Sequence, residues 1–387
     1  MHPLILLLCL PLPPAAAAAP QAPASRAAAP LPRSSAEARL WADLDQRTAD
    51  PVAWRARVAG EAAYFDEGWL FPYVLPVLSL ASRSRAPDAD LQIIQHQMIS
   101  LLDPLLVEVA RRVRAPSVAA IPEVHGYGTW EGQLALALGG YRLAGGDDRY
   151  EDLHRRLCAA LLSDLQARRG APIDAYPGLT WTFDTVPVLL ALRIRDRTVG
   201  LPGAEEAIQA HLRWSDAHLD AATGLPVSRL DLGTGRVLEG PRGADLGLRI
   251  LLLAQLDPVR AEALYRAFVA HFATTSLGLH GFGEWPDGAV GRPDADSGPV
   301  IAGLGMSSTG FGLGAARVFA DEERFHRMDA ELSAFPLLLG SAPMLLQPQL
   351  SALGMRLNTQ DYVTGLLLGD LSVLFGLSWA PWGVASG

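Results

Sequence analysis

Cysteine is scarce in this sequence of 387 residues, which contains only Cys9 and Cys158. Cys9 lies in an apolar N-terminal stretch, and Cys158 falls on the apolar face of a predicted amphipathic helix, 149–169. Free cysteine is among the most buried residue types, so we interpret Cys158 as a core residue and not as a nucleophile. If the N-terminal stretch is removed, one cysteine remains and no intramolecular disulfide can form.

Positive charge is also limited, because 32 Lys and Arg residues stand against 41 Asp and Glu residues and give a net charge of −9. No basic run occurs, which argues against a nucleic-acid partner, since phosphate binding needs clustered Lys and Arg. The nine histidines show no H-x-H or H-x-x-x-H spacing, and no G-x-S-x-G elbow is present. We therefore predict no metal ion and no cofactor.

The N-terminus is typical of an exported protein. Residues 4–11 are apolar, and A-x-A cleavage sites follow near Ala17–Ala19. We predict a signal peptide over 1–19, a flexible Ala/Pro-rich leader over 20–35, one folded domain over 36–387, and a periplasmic or secreted location. The apolar segment 362–379 contains Asp370 and three glycines, so we interpret it as a buried helix and predict no membrane span after cleavage.

Six apolar runs recur along the chain, and an acidic residue opens each of them. The intervals between these acids are 65, 53, 61, 51 and 65 residues, which indicates a repeat of about 50 to 65 residues. The runs are apolar on nearly every side, as expected for buried helices. The opening acids are Asp66, Glu131, Asp184, Asp245, Asp296 and Asp361.

Amphipathic, charged helices are predicted between the apolar runs. Six inner and six outer helices describe an all-α fold, an (α/α)6 toroid, with long loops on the face where the inner helices begin. The segment 225–240 is the best candidate for strands and reads as a hairpin. The predicted outer helices are 35–47, 91–113, 149–169, 204–219, 257–274 and 321–332.

The long loops concentrate acids and aromatic residues around one mouth, where a small molecule or oligosaccharide is expected to bind. We predict Asp184, Glu284 and Asp296 as catalytic carboxylates, since a carboxylate beside an indole or in a poorly hydrated site can act as a general acid. Further residues of these loops are predicted to contact the substrate: Asp66, His125, Tyr127, Trp130, Tyr176, Trp181, Arg242, Trp285 and Asp294.

An acid at the start of a helix needs no catalytic role, because Asp is a good N-cap and its charge is stabilised there. For Asp245 and Asp361 we favour the capping interpretation. Asp184 follows Tyr176 and Trp181, aromatic residues that could hold a sugar ring or an apolar ligand, so capping and catalysis both stay open for it.

Residues 120–335 resemble the linalool dehydratase-isomerase family. The resemblance extends from "TWEGQLALALGGYRLAGGDDRYEDLHRRL" to "DADSGPVIAGLGMSSTGFGLGAARVFADEERF". It implies a toroidal helical barrel and an enzyme that adds or removes water and isomerises a terpene alcohol without a cofactor. The acidic stretch Asp294–Gly298 and Asp66 agree with the family pattern.

The catalytic residues of that family are replaced in this chain. Its two cysteines match Ala175 and Asp184, its histidine matches Gln133, and its tyrosine falls at or beside Ala244. We therefore expect a related toroid with different chemistry: an enzyme of lyase, hydratase or glycoside hydrolase type that uses mouth carboxylates. The alternative is a protein that binds a carbohydrate or small ligand without catalysis, in which arginines such as Arg242 or Arg292 would neutralise the mouth acids.

Overall fold

The computed structural model describes residues 35–276, 278–294, 296–341, 351, 354, 358 and 361–385. The predicted signal peptide and nearly all of the predicted leader lie outside the described residues. The α-helices are α1 Ser35–Thr48, α2 Pro51–Glu61, α3 Phe71–Arg83, α4 Leu91–Arg112, α5 Gly128–Leu143, α6 Glu151–Ala167, α7 Thr185–Val199, α8 Ala204–Asp216, α9 Gly243–Leu256, α10 Pro258–Phe272, α11 Met306–Val318, α12 Glu322–Ser341 and α13 Leu367–Leu377.

Six of these helices form a closed inner ring. Helices α3, α5, α7, α9, α11 and α13 each contact the next, and α13 returns to contact α3. Helices α4, α6, α8, α10 and α12 pack outside them, and α1 joins this outer layer by contacting α12 and α13. The inner helices are apolar nearly all round because both of their sides are covered, so the predicted (α/α)6 arrangement is confirmed.

Within the described part of the chain, three antiparallel hairpins lie on the ring. They are β1 Arg229–Asp231 with β2 Arg236–Glu239, β3 Ala273–Ser276 with β4 Leu279–Phe282, and β5 Val300–Ile301 with β6 Leu304–Gly305. The first confirms the hairpin predicted within 225–240. The other two are too short to give a recognisable alternation of apolar and polar residues.

Three inner helices begin later than their opening acids predict. Helix α3 begins at Phe71 because Asp66–Trp69 form a separate 3₁₀ turn, and α11 begins at Met306 because the β5–β6 hairpin follows Asp296. Helix α13 begins at Leu367, six residues after Asp361. It is the buried inner helix predicted within 362–379, and no helix among the described residues is long and apolar enough to cross a membrane.

Glycines allow two inner helices to approach closely. Gly314 of α11 faces Gly376 of α13, and a Cβ on Gly376 would lie 2.8 Å from the Cα of Gly314. Gly314 therefore serves the close packing of α11 against α13.

Substituting Gly314 by alanine should push the two helices apart and lower the free energy of unfolding by about 1–3 kcal/mol, as overpacking does elsewhere. The matched control is Gly60→Ala in α2, where a Cβ would meet no atom within 4 Å. That change should be neutral or stabilising by up to about 1 kcal/mol, since alanine is the better helix former. Urea unfolding measures both, and equal effects would contradict the close packing.

Candidate active site

The ring encloses a cavity of about 300 Å³ at the end where the inner helices begin. Every inner helix supplies a residue of its first turns, or the residue just before it, to the wall. They are Phe71, Thr129, Asp184, Asp245, Met306 and Leu368. All six inner helices therefore start at one rim, which we call the mouth, as the repeat predicts.

The wall combines aromatic rings with an excess of acids. One arginine, Arg242, is present among the described wall residues. The aromatic residues are Tyr64, Phe65, Phe71, Tyr176, Trp181, Phe183 and Phe311, and the acids are Glu67, Asp184, Glu239, Asp245, Glu284, Asp294 and Asp296.

Arg242 binds three of these acids. Its Nε donates to Glu284 Oε1 at 2.7 Å, and its Nη1 donates to Glu239 Oε1 at 2.7 Å. Its Nη1 and Nη2 also form a two-pronged pair with Asp294, at 2.7 and 2.9 Å. Although burial alone would raise the pKa of Asp294, the hydrogen bonds and charge of Arg242 hold it below its usual range.

Glu284 is almost completely buried, with 1% of its surface exposed, and so lies deeper than an acid at the mouth would. Its Oε2 accepts a hydrogen bond from the backbone N–H of Ala244 in the first turn of α9, at 3.1 Å. Burial raises the pKa of Glu284 to about 7 against the opposing effect of Arg242. The predicted catalytic carboxylate is thus held between an arginine and a helix N-terminus, an arrangement suited to orienting Arg242.

Asp184 directly precedes α7, yet its side chain makes no capping hydrogen bond. Its backbone is helical, with φ −63° and ψ −15°, whereas a capping residue normally has extended angles that turn its side chain back to the helix. The carboxylate lines the cavity instead, and 8% of the residue is exposed. Burial raises the pKa of Asp184 to about 7, and the charges of Glu67 and Asp245 add to the increase.

The two acids interpreted as caps from the sequence do not cap either. Asp245 is the third residue of α9 and pairs with Arg249 one turn later, with 2.9 Å between Oδ1 and Nε. Burial raises the pKa of Asp245, and the charge of Arg249 opposes this. Asp361 is exposed, accepts a hydrogen bond from Asn358 Nδ2 at 2.9 Å and lies six residues before its helix.

Asp296 and Glu67 complete the acidic part of the wall. Desolvation within the mouth raises the pKa of Asp296 well above its usual value, although its side chain still reaches solvent. Repulsion from Glu67, Asp294 and Asp184 adds to the increase, and Arg242 opposes it. The hydroxyl of Tyr176 donates a hydrogen bond to Glu67 Oε1.

The sequence predicts Asp66 for the site, but its neighbour Glu67 lines the cavity. Both lie in the 3₁₀ turn Asp66–Trp69, where successive residues point about 120° apart. Asp66 is therefore directed outward and pairs with Arg112 of α4. The sequence signal for Glu67 was the pair of adjacent acids before an inner helix. Only one of two consecutive side chains in such a turn can face inward.

Four other predicted contact residues lie outside the cavity wall. His125 is 63% exposed, with Nδ1 3.4 Å from Asp164 Oδ2. Trp130 is fully buried behind the wall with Arg112 over its ring, and Tyr127 is half-buried at the start of α5. The ring of Trp285 packs against Arg242, whose Cζ is 5.7 Å from its centroid. Tyr176, Trp181, Arg242 and Asp294 do line the cavity.

A further buried acid, Glu131, lies in the first turn of α5 outside the wall. Its Oε1 has no hydrogen-bond partner within the described part of the chain. Burial raises the pKa of Glu131 to about 8, and the charge of Asp164 adds to the increase. No group of three or more His, Cys, Asp or Glu within the described ranges is arranged to hold a metal ion.

Glu131 should make the protein less stable at alkaline pH. The unfolded chain releases this proton near pH 4.5 and the folded chain near pH 8, so ionisation favours unfolding between these values. The expected loss is on the order of 1.4 kcal/mol for each pH unit in that window. Urea unfolding from pH 5 to 8.5 should show a shallower decline for Glu131→Gln than for the unmodified protein, and equal slopes would contradict this assignment.

No protein-family model matches the sequence, and no curated protein matches it. Solved structures do. An α-1,6-mannanase, GH76A of Salegentibacter sp. HEL1_6, was solved as an inactive variant with two aspartates replaced by alanine, in complex with α-1,6-mannotetrose. The two sequences are 13% identical. The match covers 88% of this chain and 98% of the mannanase chain, with a TM-score of 0.55. Another structure of the same enzyme matches with a TM-score of 0.52 over the same shares of both chains, again at 13% identity.

At this level of identity the likeness shows a shared fold. The mannanase supports the (α/α)6 toroid that the sequence predicts and the inner ring displays. The resemblance to the linalool dehydratase-isomerase family stays a prediction, and the roles of the site residues are proposals.

Proposed function

We propose that this chain is an enzyme of glycoside hydrolase type, which uses carboxylates of the toroid cavity for general acid–base chemistry on a glycan. One observation carries the proposal. Asp184, Asp296 and Glu67 share the cavity, and none of the three forms an ion pair with an arginine or histidine within the described residues. A protein that only binds a neutral ligand would be expected to have all its mouth acids neutralised, whereas Arg242 pairs with another group of acids.

The environments of these acids suggest separate roles. With a pKa of about 7, Asp184 can exchange a proton near neutral pH, as a general acid or a general base does. Glu67, which accepts the hydrogen bond of Tyr176, is placed to stabilise developing positive charge. Asp296 and Asp184 repel each other, so loss of a proton from one opposes loss of a proton from the other.

Two features favour a glycan. The mannanase of similar fold was solved with an oligosaccharide. In this chain Tyr176 and Trp181 stand edge to face in the wall with ring centroids 6.4 Å apart, and such rings present flat apolar faces to a sugar. The cavity volume is at the low end of the range for ligand sites, so we infer that one sugar unit enters and the remainder of the glycan stays outside.

A second candidate function is that of a lyase or hydratase acting on a terpenoid alcohol. The observation that favours it is the apolar part of the wall, where Leu75, Leu248 and Leu366 lie among the phenylalanines. Such a surface suits a hydrocarbon chain. The same acids would then protonate a hydroxyl group, so the two candidates differ in substrate and share the proton donor.

A panel of mannose-containing oligosaccharides and terpenoid alcohols tests the proposal. We expect an oligosaccharide to raise the melting temperature and to release reducing sugar, and we expect Asp296→Asn to lower the rate of release. Conversion of a terpenoid alcohol alone would favour the second candidate. Binding of a sugar without any product, at every pH from 5 to 8, would make the chain a binding protein.

We also propose that the chain is exported. The apolar stretch 4–11 and the A-x-A sites near Ala17–Ala19 support this. Mass spectrometry of the protein from its native host should find a chain that starts between residues 20 and 30. Recovery of a form with intact Met1 from the cytoplasm would refute export.

A further inference from the structure

Among the described residues, the cavity wall has more carboxylates than arginines that could pair with them. Seven carboxylates and one arginine line it within the described residues. Arg242 is shared among three of the acids, and Asp245 pairs with Arg249 behind the wall. The sequence contains no lysine, so no lysine from any other segment can add charge. Glu67, Asp184 and Asp296 are left repelling one another.

The part of the wall near these three acids is aromatic. Tyr64, Phe65, Tyr176, Trp181 and Phe183 line the same cavity. The faces of aromatic rings attract cations, and the attraction increases when the cation leaves water. A carboxylate that is nine-tenths buried, as Asp184 is, gains most from a charged partner because little water screens it.

We propose that the ligand of this cavity carries a positively charged nitrogen, as an amino sugar does, and that this ammonium group lies among Glu67, Asp184 and Asp296. The proposal deepens the proposed function, because it takes the same cavity as the substrate site. A neutral hydroxyl group in this place would leave the repulsion among the acids unchanged. An ammonium group offsets it through its charge and donates N–H groups to the carboxylates within its reach.

An organic cation fits this wall better than a metal ion. Metal ions need several donor side chains converging at short range, and the described residues contain no such group of three. The aromatic rings supply no ligand to a hard cation, but they do cover the carbon skeleton that an amine carries.

Binding of an amine should release protons. A cation beside Asp184 favours its ionised form, so a proton that Asp184 holds at neutral pH leaves as the ligand enters. Glu67, Asp245 and Asp296 oppose the ionisation of Asp184, and Arg249 favours it. Affinity for an alkyl amine should therefore rise from pH 6 to pH 8, where the amine itself stays charged.

Matched pairs of small probes test this inference by binding alone. The pairs are cyclohexylamine with cyclohexanol, and the methyl glycoside of glucosamine with that of glucose. Isothermal titration calorimetry at pH 7, in two buffers that differ in ionisation enthalpy, should show amines binding at least tenfold more tightly than the matching alcohols, with release of protons. The preference should decrease at least threefold in Asp184→Asn and stay unchanged in Asp66→Asn, whose acid faces away from the cavity.

The outcomes separate this inference from the proposed function. Equal or tighter binding of the alcohols would refute the ammonium site, whatever the catalytic result. An amine preference that persists in Asp184→Asn and in Asp296→Asn would place the cation elsewhere and also refute it. An amine preference together with no turnover of any glycan would uphold the ammonium site and contradict only the hydrolase.

Discussion

Asp184→Asn is expected to reduce turnover by roughly 100-fold or more, the usual scale for loss of a general acid or base. The melting temperature should stay the same or rise, because the change removes an acid whose buried charge is unfavourable and breaks no capping bond. Steady-state rates on the best oligosaccharide of the panel, with thermal unfolding of both proteins, measure the two effects. If Asp184 acts as a proton donor, activity in the unmodified protein should also fall as pH rises above about 7.

Asp66→Asn is the matched control. It removes an acid that also precedes an inner helix, but the side chain pairs with Arg112 outside the cavity wall. Its rate should stay within about twofold of the unmodified protein, as expected for an exposed ion pair of small energy. An Asp184→Asn variant with unaltered activity would remove Asp184 from the mechanism and leave Glu67 and Asp296 as the remaining candidates.

The sequence predicts where acids precede helices, and the structure separates them into two groups. On α2 and on the outer helices α4 and α10, the acids Asp50, Asp90 and Asp257 accept hydrogen bonds from first-turn N–H groups and are true caps. On the inner helices no residue at the capping position makes such a bond. Acids that do not cap their helix are available to the cavity. Whether an acid caps depends on its backbone angles, which residue identity does not reveal.

Periodicity and composition were sufficient to predict the ring of inner and outer helices. Apolar character on all sides marks an inner helix and amphipathic character an outer one, so order and fold class follow from burial. The residue that pairs with each acid could not be predicted from periodicity and composition. Glu284 and Arg242 are 42 positions apart, and their contact depends on how the loop after β4 meets the start of α9. Glu67 was missed because the 3₁₀ turn that points it inward has no distinctive sequence.

Arg242→Met is expected to have the largest effect on stability. It removes the hydrogen-bonded partner of Glu284, whose side chain is completely buried, and frees Asp294 and Glu239. Breaking a buried ion pair from one side costs about 3–5 kcal/mol, because the charge left behind has no partner and no water. Methionine fills much of the volume of the arginine stem, so the loss reports mainly on charge.

The expected loss depends on pH, and this dependence identifies Glu284 as its source. Without Arg242 the pKa of Glu284 should rise above its present value of about 7, so the carboxyl stays protonated in acid and the variant recovers stability near pH 5. The double variant Arg242→Met with Glu284→Gln should recover most of the loss at pH 8, since the amide can still face Ala244 without a buried charge. Urea unfolding at pH 5 and pH 8 measures all three proteins. If Arg242→Met is equally destabilised at both pH values and Glu284→Gln does not rescue it, then Arg242 acts through packing. Glu284 would then not depend on the charge of Arg242.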